Sequence, residues 1–143
     1  MKKSKILVIY TRFPYPPIGG DRIRIYNMMK LLTQNFDIDL LVINEGNVCK
    51  NDIDFISKLG IRPIIFEFLP FRHRLNAITG LFSKFPIQTK YYYFKIVADW
   101  IDNNYRNYEL ILCNHIRTTE YISKYPIHKI RNRILMLAGM RKN

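Results

Sequence analysis

Between Lys5 and Tyr10 the chain reads KILVIY, an unbroken apolar run followed by three prolines, Pro14, Pro16 and Pro17, and a Gly19-Gly20 pair. A strand with one wet face alternates apolar and polar residues. A run without alternation belongs in a sheet covered on both sides, as parallel α/β sheets are. No helix or central strand can pass through the prolines. Gly19-Gly20 frees the backbone again, Asp21 suits the first turn of a helix, and Ile25, Met28, Met29 and Leu32 then recur at helical spacing. A helix N-terminus concentrates unpaired N–H groups and partial positive charge, and glycine lets a phosphate approach the backbone. With Arg22 and Arg24 beside it, this turn is expected to face an anionic, phosphorylated ligand. A tight strand-to-helix connection is the plainer account of the same glycines.

The pattern repeats. Phe36–Ile43 (FDIDLLVI), Ile61–Phe68 (IRPIIFEF) and Tyr108–Cys113 (YELILC) read as further strands, and Arg133–Ala138 as a fifth. Pro63 suggests that the third strand begins at an edge or just after that residue. Asp52–Leu59 reads as a short helix closed by Gly60, Lys90–Tyr105 as a longer one, and Ile116–Lys124 as a short helix or turn. Strands alternating with helices at this spacing predict one α/β domain over residues 1–143, a Rossmann-like, mostly parallel sheet with flanking helices. Its ligand face is expected at the C-terminal ends of the strands. Nothing in Ile127–Asn143 closes a sheet or caps a helix, so the domain is expected to be incomplete at its C-terminus.

A net charge of +12 over 143 residues bears on partners rather than on fold. Leu69–Lys95 breaks the strand–helix rhythm and carries five basic side chains, no acidic one and many aromatics. Phe71, Arg72, Arg74, Phe82, Lys84 and Phe85 form a candidate patch for an anionic membrane surface or an acceptor, since cations draw lipid headgroups and aromatics embed at the interface. A helical hairpin with core aromatics and solvated cations accounts for the same residues. Nucleic acid ranks lower, because the aromatics cluster on one segment instead of alternating along strands. The first apolar run is too short for a signal peptide and no segment is long enough to span a membrane, so a cytoplasmic protein is expected.

Several chemistries find no support. GxGxxG and GxxxxGK[ST] are absent, which disfavours nicotinamide, flavin and P-loop sites, and no cofactor is expected. Cys49 and Cys113 lack partners at metal-ligand spacing, as do His73 and His128, so no metal is expected. The eleven acidic residues are scattered and suggest no paired-carboxylate hydrolase.

The stretch KILVIYTRFPYPPIGGDRIRIYNMMKLL resembles the opening of the N-terminal domain of GT-B glycosyltransferases of the family 4, or group 1, type: a strand, a Pro-containing loop, a Gly-Gly pair and an R-x-R-x-Y-N helix start. Tyr108–Tyr121 (YELILCNHIRTTEY) is similar to their later strand-then-His segment. The resemblance implies an acceptor-side half facing a nucleotide-sugar-binding half across a cleft. It implies that Gly19 and Gly20 approach the donor diphosphate, that Arg22 and Arg24 stabilise the leaving phosphate, and that Asn114 or His115 lines the cleft near the sugar as the catalytic position. It implies a retaining, metal-independent transferase using a nucleotide-diphosphate sugar and a polysaccharide, glycoconjugate or lipid-linked acceptor. The family's basic diphosphate grip and E-x₇-E pattern do not occur in this sequence. The chain is therefore expected to be a fragment, a truncated reading frame or one half of a split enzyme, inactive alone. The rival expectation is a non-enzymatic basic α/β module that binds an anionic membrane or nucleic acid.

Overall fold

The computed structural model describes residues 2–114, 116–125 and 133–137. Strand β1 (Ser4–Tyr10) leads into helix α1 (Gly20–Leu32), then β2 (Phe36–Glu45), α2 (Lys50–Lys58) and β3 (Ile61–Phe68). Helices α3 (Pro70–Gly80), α4 (Ile87–Tyr91) and α5 (Lys95–Asn104) follow, then β4 (Leu110–Asn114), a 3-10 turn at Ile116–Tyr121 and β5 (Arg133–Leu137). All four pairings are parallel and the strand order is β3-β2-β1-β4-β5. The chain winds outward from β1 to β3, then returns to the other side of β1. That is the doubly wound arrangement expected from the sequence.

Alternation along the buried strands sorts the core into two layers. Ile6, Val8, Leu40 and Val42 pack with Ile25 and Met29 of α1 and Ile56 of α2. Leu7, Ile9, Leu41 and Ile43 pack on the other side with Val97, Ala98 and Ile101 of α5 and with Tyr121. Burying each such aliphatic side chain contributes roughly 1.5–3 kcal/mol. Cys113 belongs to the same core, and burial pushes its thiol up to about 12. Pro63 lies near the start of β3, in register with Leu40, at one edge of the sheet.

The sequence predicts one helix over Lys90–Tyr105, and the structure interrupts it. Tyr92–Phe94 is not helical, because the Tyr121 hydroxyl donates to the Tyr92 carbonyl at 2.5 Å and accepts from the Phe94 amide at 2.8 Å. A single buried phenol thus satisfies two backbone groups that a continuous helix would have paired. Helix α1 begins at Gly20, ahead of its apolar repeat, and β4 extends to Asn114. His115, His128 and the stretch beyond residue 137 lie outside the described residues.

Candidate functional site

In a doubly wound sheet the loops on either side of the strand-order reversal diverge and leave a crevice at the strands' C-terminal ends. Here the reversal falls between β1 and β4. Residues 11–19 follow β1 on one side, and Asn114 ends β4 on the other.

Gly19 is the residue before α1, with φ +90°, a conformation that side chains strain to adopt. No side chain caps this helix end. Both Gly19 and Gly20 are exposed; a Cβ on Gly20 would meet nothing within 4 Å. Among the described residues no hydrogen bond is donated by either glycine amide. The first turn does hold a negative charge already. Asp21 accepts from the buried Tyr10 hydroxyl at 2.9 Å and lies against the Arg22 amide. Burial opposes its ionisation, but the Tyr10 bond, the Arg22 amide and the Arg12 charge more than offset that and hold its carboxyl low. The amides left open are those of the glycines.

The two arginines part company. Positions two apart on a helix point about 200° from each other. Arg24 donates from Nη2 to Asn114 Oδ1 at 3.2 Å, joining the first turns of α1 to the end of β4. Arg22 instead lines a cavity of about 470 Å³ between the loops after β1 and β2, with Arg12, Phe13, Tyr15, Asn44 and Asp52.

Asn114 is 1% exposed, and its Nδ2 finds no partner among the described residues. An arginine has only donors, so Oδ1 must face Arg24 and the amide group is left to look elsewhere. Thr11, at the end of β1, is equally buried, and its hydroxyl is likewise unpartnered among the described residues. A buried polar group without a partner costs about 1–3 kcal/mol. Thr11 belongs to the lining of the cavity beside Arg22, whereas Asn114 ends β4 on the other side of the reversal.

The structure thus brings together Arg24 and Asn114, leaves Gly19 and Gly20 open one turn away, and sends Arg22 to the neighbouring cavity. Thr11, Arg12 and Asn44 were missed by sequence reasoning; their position directly after apolar strand runs was the available signal. The predicted patch residues lie elsewhere, on α3 and the turn after it. Phe71, Arg72, Arg74, Phe82 and Lys84 are exposed there, whereas Phe85 is half-buried with the Lys90 ammonium 5.6 Å from its ring centroid. Among the described residues no group of three potential ligands could hold a metal ion, and no helix is long and apolar enough to cross a membrane.

No protein-family model matches the chain, and no curated protein does. Solved structures do. UGT2 of Phytolacca americana, complexed with UDP-2fluoro-glucose and pterostilbene, superposes with a TM-score of 0.60 at 9% identity, over 95% of this chain and 31% of that one. A UDP-glucosyltransferase from Polygonum tinctorium capable of glucosylating indoxyl gives 0.52 at 15% identity, over 94% and 30%. The C-terminal domain of a Pyrococcus furiosus hydrogenase gives 0.53 at 14% identity, over 94% and 91%. The chain therefore spans about a third of the two glycosyltransferases and nearly all of the hydrogenase domain. At these identities the shared property is the fold, and one fold carries unrelated activities. What the comparisons establish is the fold, a Rossmann-like α/β domain shared with parts of two UDP-glycosyltransferases and with the hydrogenase domain.

Proposed function

We propose that the chain is the acceptor-side half of a glycosyltransferase that takes its sugar from a nucleotide diphosphate. The observation that carries this is the end of β4 beside the strand-order reversal, where the buried Asn114 amide is unpartnered among the described residues and is tied through Arg24 to a helix start whose two glycine amides donate to none of them. Oxygens of the leaving diphosphate would take the Gly19 and Gly20 amides and the positive end of α1, and Arg24 would add charge where negative charge develops. The Asn114 amide would then reach a sugar hydroxyl. The 470 Å³ cavity beside Arg22 suits the acceptor. The donor's nucleoside belongs, on this reading, to a second half of the enzyme. Family 4 type and retention of configuration rest on the resemblance over Lys5–Leu32.

Pyrophosphate, titrated into the isotope-labelled chain, tests the phosphate seat directly. The expected result is amide shifts concentrated at Gly19 and Gly20 and at the Asn114 side chain. In Gly20→Val those shifts disappear while stability changes by less than about 1 kcal/mol, since the added side chain meets open space. Shifts that map elsewhere, or a Gly20→Val variant that still binds, would remove the assignment.

A further inference from the structure

Helix α3 is packed inside out. The residues it turns toward the protein are small or polar: His73 and Gly80 are buried, and Asn76 and Ala77 partly so. His73 Nδ1 donates to the Tyr91 carbonyl at 3.0 Å, and Asn76 Nδ2 to the Tyr93 carbonyl at 2.7 Å. At Gly80 the fit is close enough that an added Cβ would stand 3.2 Å from Lys90 Cβ. Its large apolar residues look the other way. Phe71, Leu75 and Ile78, which fall within about 60° of one another on the helix, are each more than half exposed. In the turn that follows, Leu81 is 67% and Phe82 93% exposed.

Cations frame this stripe. Arg72 and Arg74 project from its two flanks and Lys84 follows Phe82, all three exposed and without an ion pair among the described residues. The other two lysines of the segment are engaged, Lys90 with Glu120 and Lys95 with Asp99. No acidic residue occurs between Leu69 and Lys95.

We propose that the outward face of α3, continued by Leu81 and Phe82, lies on an anionic lipid bilayer. A helix with an apolar stripe between flanking cations is built to lie in the plane of a headgroup layer, apolar side chains in and guanidinium groups among the phosphates. Charge separates this occupant from a second copy of the chain. Two-fold self-association would set Arg72 and Arg74 against their own counterparts, with no carboxylate on the face to meet them. The docking face is distinct from the β1–β4 crevice and stands whether or not sugar transfer occurs there.

Flotation of the full chain with phosphatidylcholine vesicles, with and without phosphatidylglycerol, tests the inference. The chain is expected to float with the anionic vesicles only and to be released by salt. Phe71→Ser/Phe82→Ser and Arg72→Gln/Arg74→Gln should each weaken partitioning about tenfold or more. If the first double variant melts below the wild type, Phe82→Ser alone, at the most exposed position, carries the comparison. Failure of the wild type to float, or unchanged flotation of the phenylalanine variants, would overturn the proposal. So would a dimer seen by sedimentation that those variants dissolve while vesicles capture nothing, because the face would then belong to a second copy.

Discussion

Asp39 is a carboxylate inside an apolar strand, 2% exposed, and it survives there because its neighbours on three sides are donors or cations. Arg62, its register partner on β3, donates to both carboxylate oxygens; the Tyr108 hydroxyl donates at 2.6 Å, and Lys5 stands 3.4 Å away. Burial alone would raise its pKa. The Arg62 and Tyr108 hydrogen bonds and the charges of Arg62 and Lys5 more than offset burial and hold the carboxyl below its usual range. A carboxyl depressed by folding contributes stability above its unfolded pKa and loses it as pH falls through the folded one. Asp39→Asn is therefore expected to destabilise the protein by about 1–3 kcal/mol at neutral pH, discounted because the Arg62 side chain is largely exposed. Its urea-denaturation stability should also fall less steeply than the wild type's below about pH 4. A variant equal to the wild type at neutral pH would mean the network contributes nothing. In the sequence, Asp37 and Asp39 stand simply as polar positions at the start of the FDIDLLVI strand. The two share one face of β2, and which of them is covered depends on where Arg62 and Tyr108 fall beside it, which no local pattern carries.

At the scale of elements, the aliphatic runs and the glycine-hinged α1 were legible because each follows from its own residues. The break between α4 and α5 was not, since its cause is a hydroxyl from Tyr121, 27 residues beyond Phe94. The aromatics after α3 were legible as a cluster, but their division was not: Tyr92 faces the core while Phe82 faces solvent. His73 holds α3 in place from inside an aromatic cage of Phe68, Tyr91, Tyr92 and Phe94. Burial lowers its pKa, only partly opposed by the bond to the Tyr91 carbonyl and the Glu45 charge. For a histidine this means the neutral form is favoured in the fold, so stability is full above the unfolded value and falls as pH drops through it. Melting temperature should decline between about pH 7.5 and 5.5, around the ordinary histidine pKa, and His73→Gln should flatten that decline. A wild-type profile already flat over this window would show that the cage does not exclude the charged ring.

For the whole molecule, parallel pairing and the doubly wound order were readable from strand–helix alternation, whereas the residues that β4 brings against β1 were not. Strand β4 inserts beside β1, about a hundred residues earlier in the chain, and only the complete core decides which residues meet. The candidate site shares this property: Arg24 and Asn114 are 90 residues apart and meet only once β4 has docked. Central strands that depend on everything around them should open last. Amide exchange is expected to be slowest at Ile6–Ile9 and Leu40–Ile43 and fastest in the turn after α3; early exchange in β1 would contradict this strand order. Pro63 has a consequence at the same scale. The Gly46 amide donates to the Phe68 carbonyl, so Phe68, and with it Phe66, Ile64 and Arg62, turn their peptide groups toward β2. Pro63 then occupies an outward slot, where a foreign strand would need an N–H and finds a ring carbon. Fibril growth by strand addition is thereby obstructed along this margin, a safeguard for a chain whose strands are otherwise so evenly aliphatic.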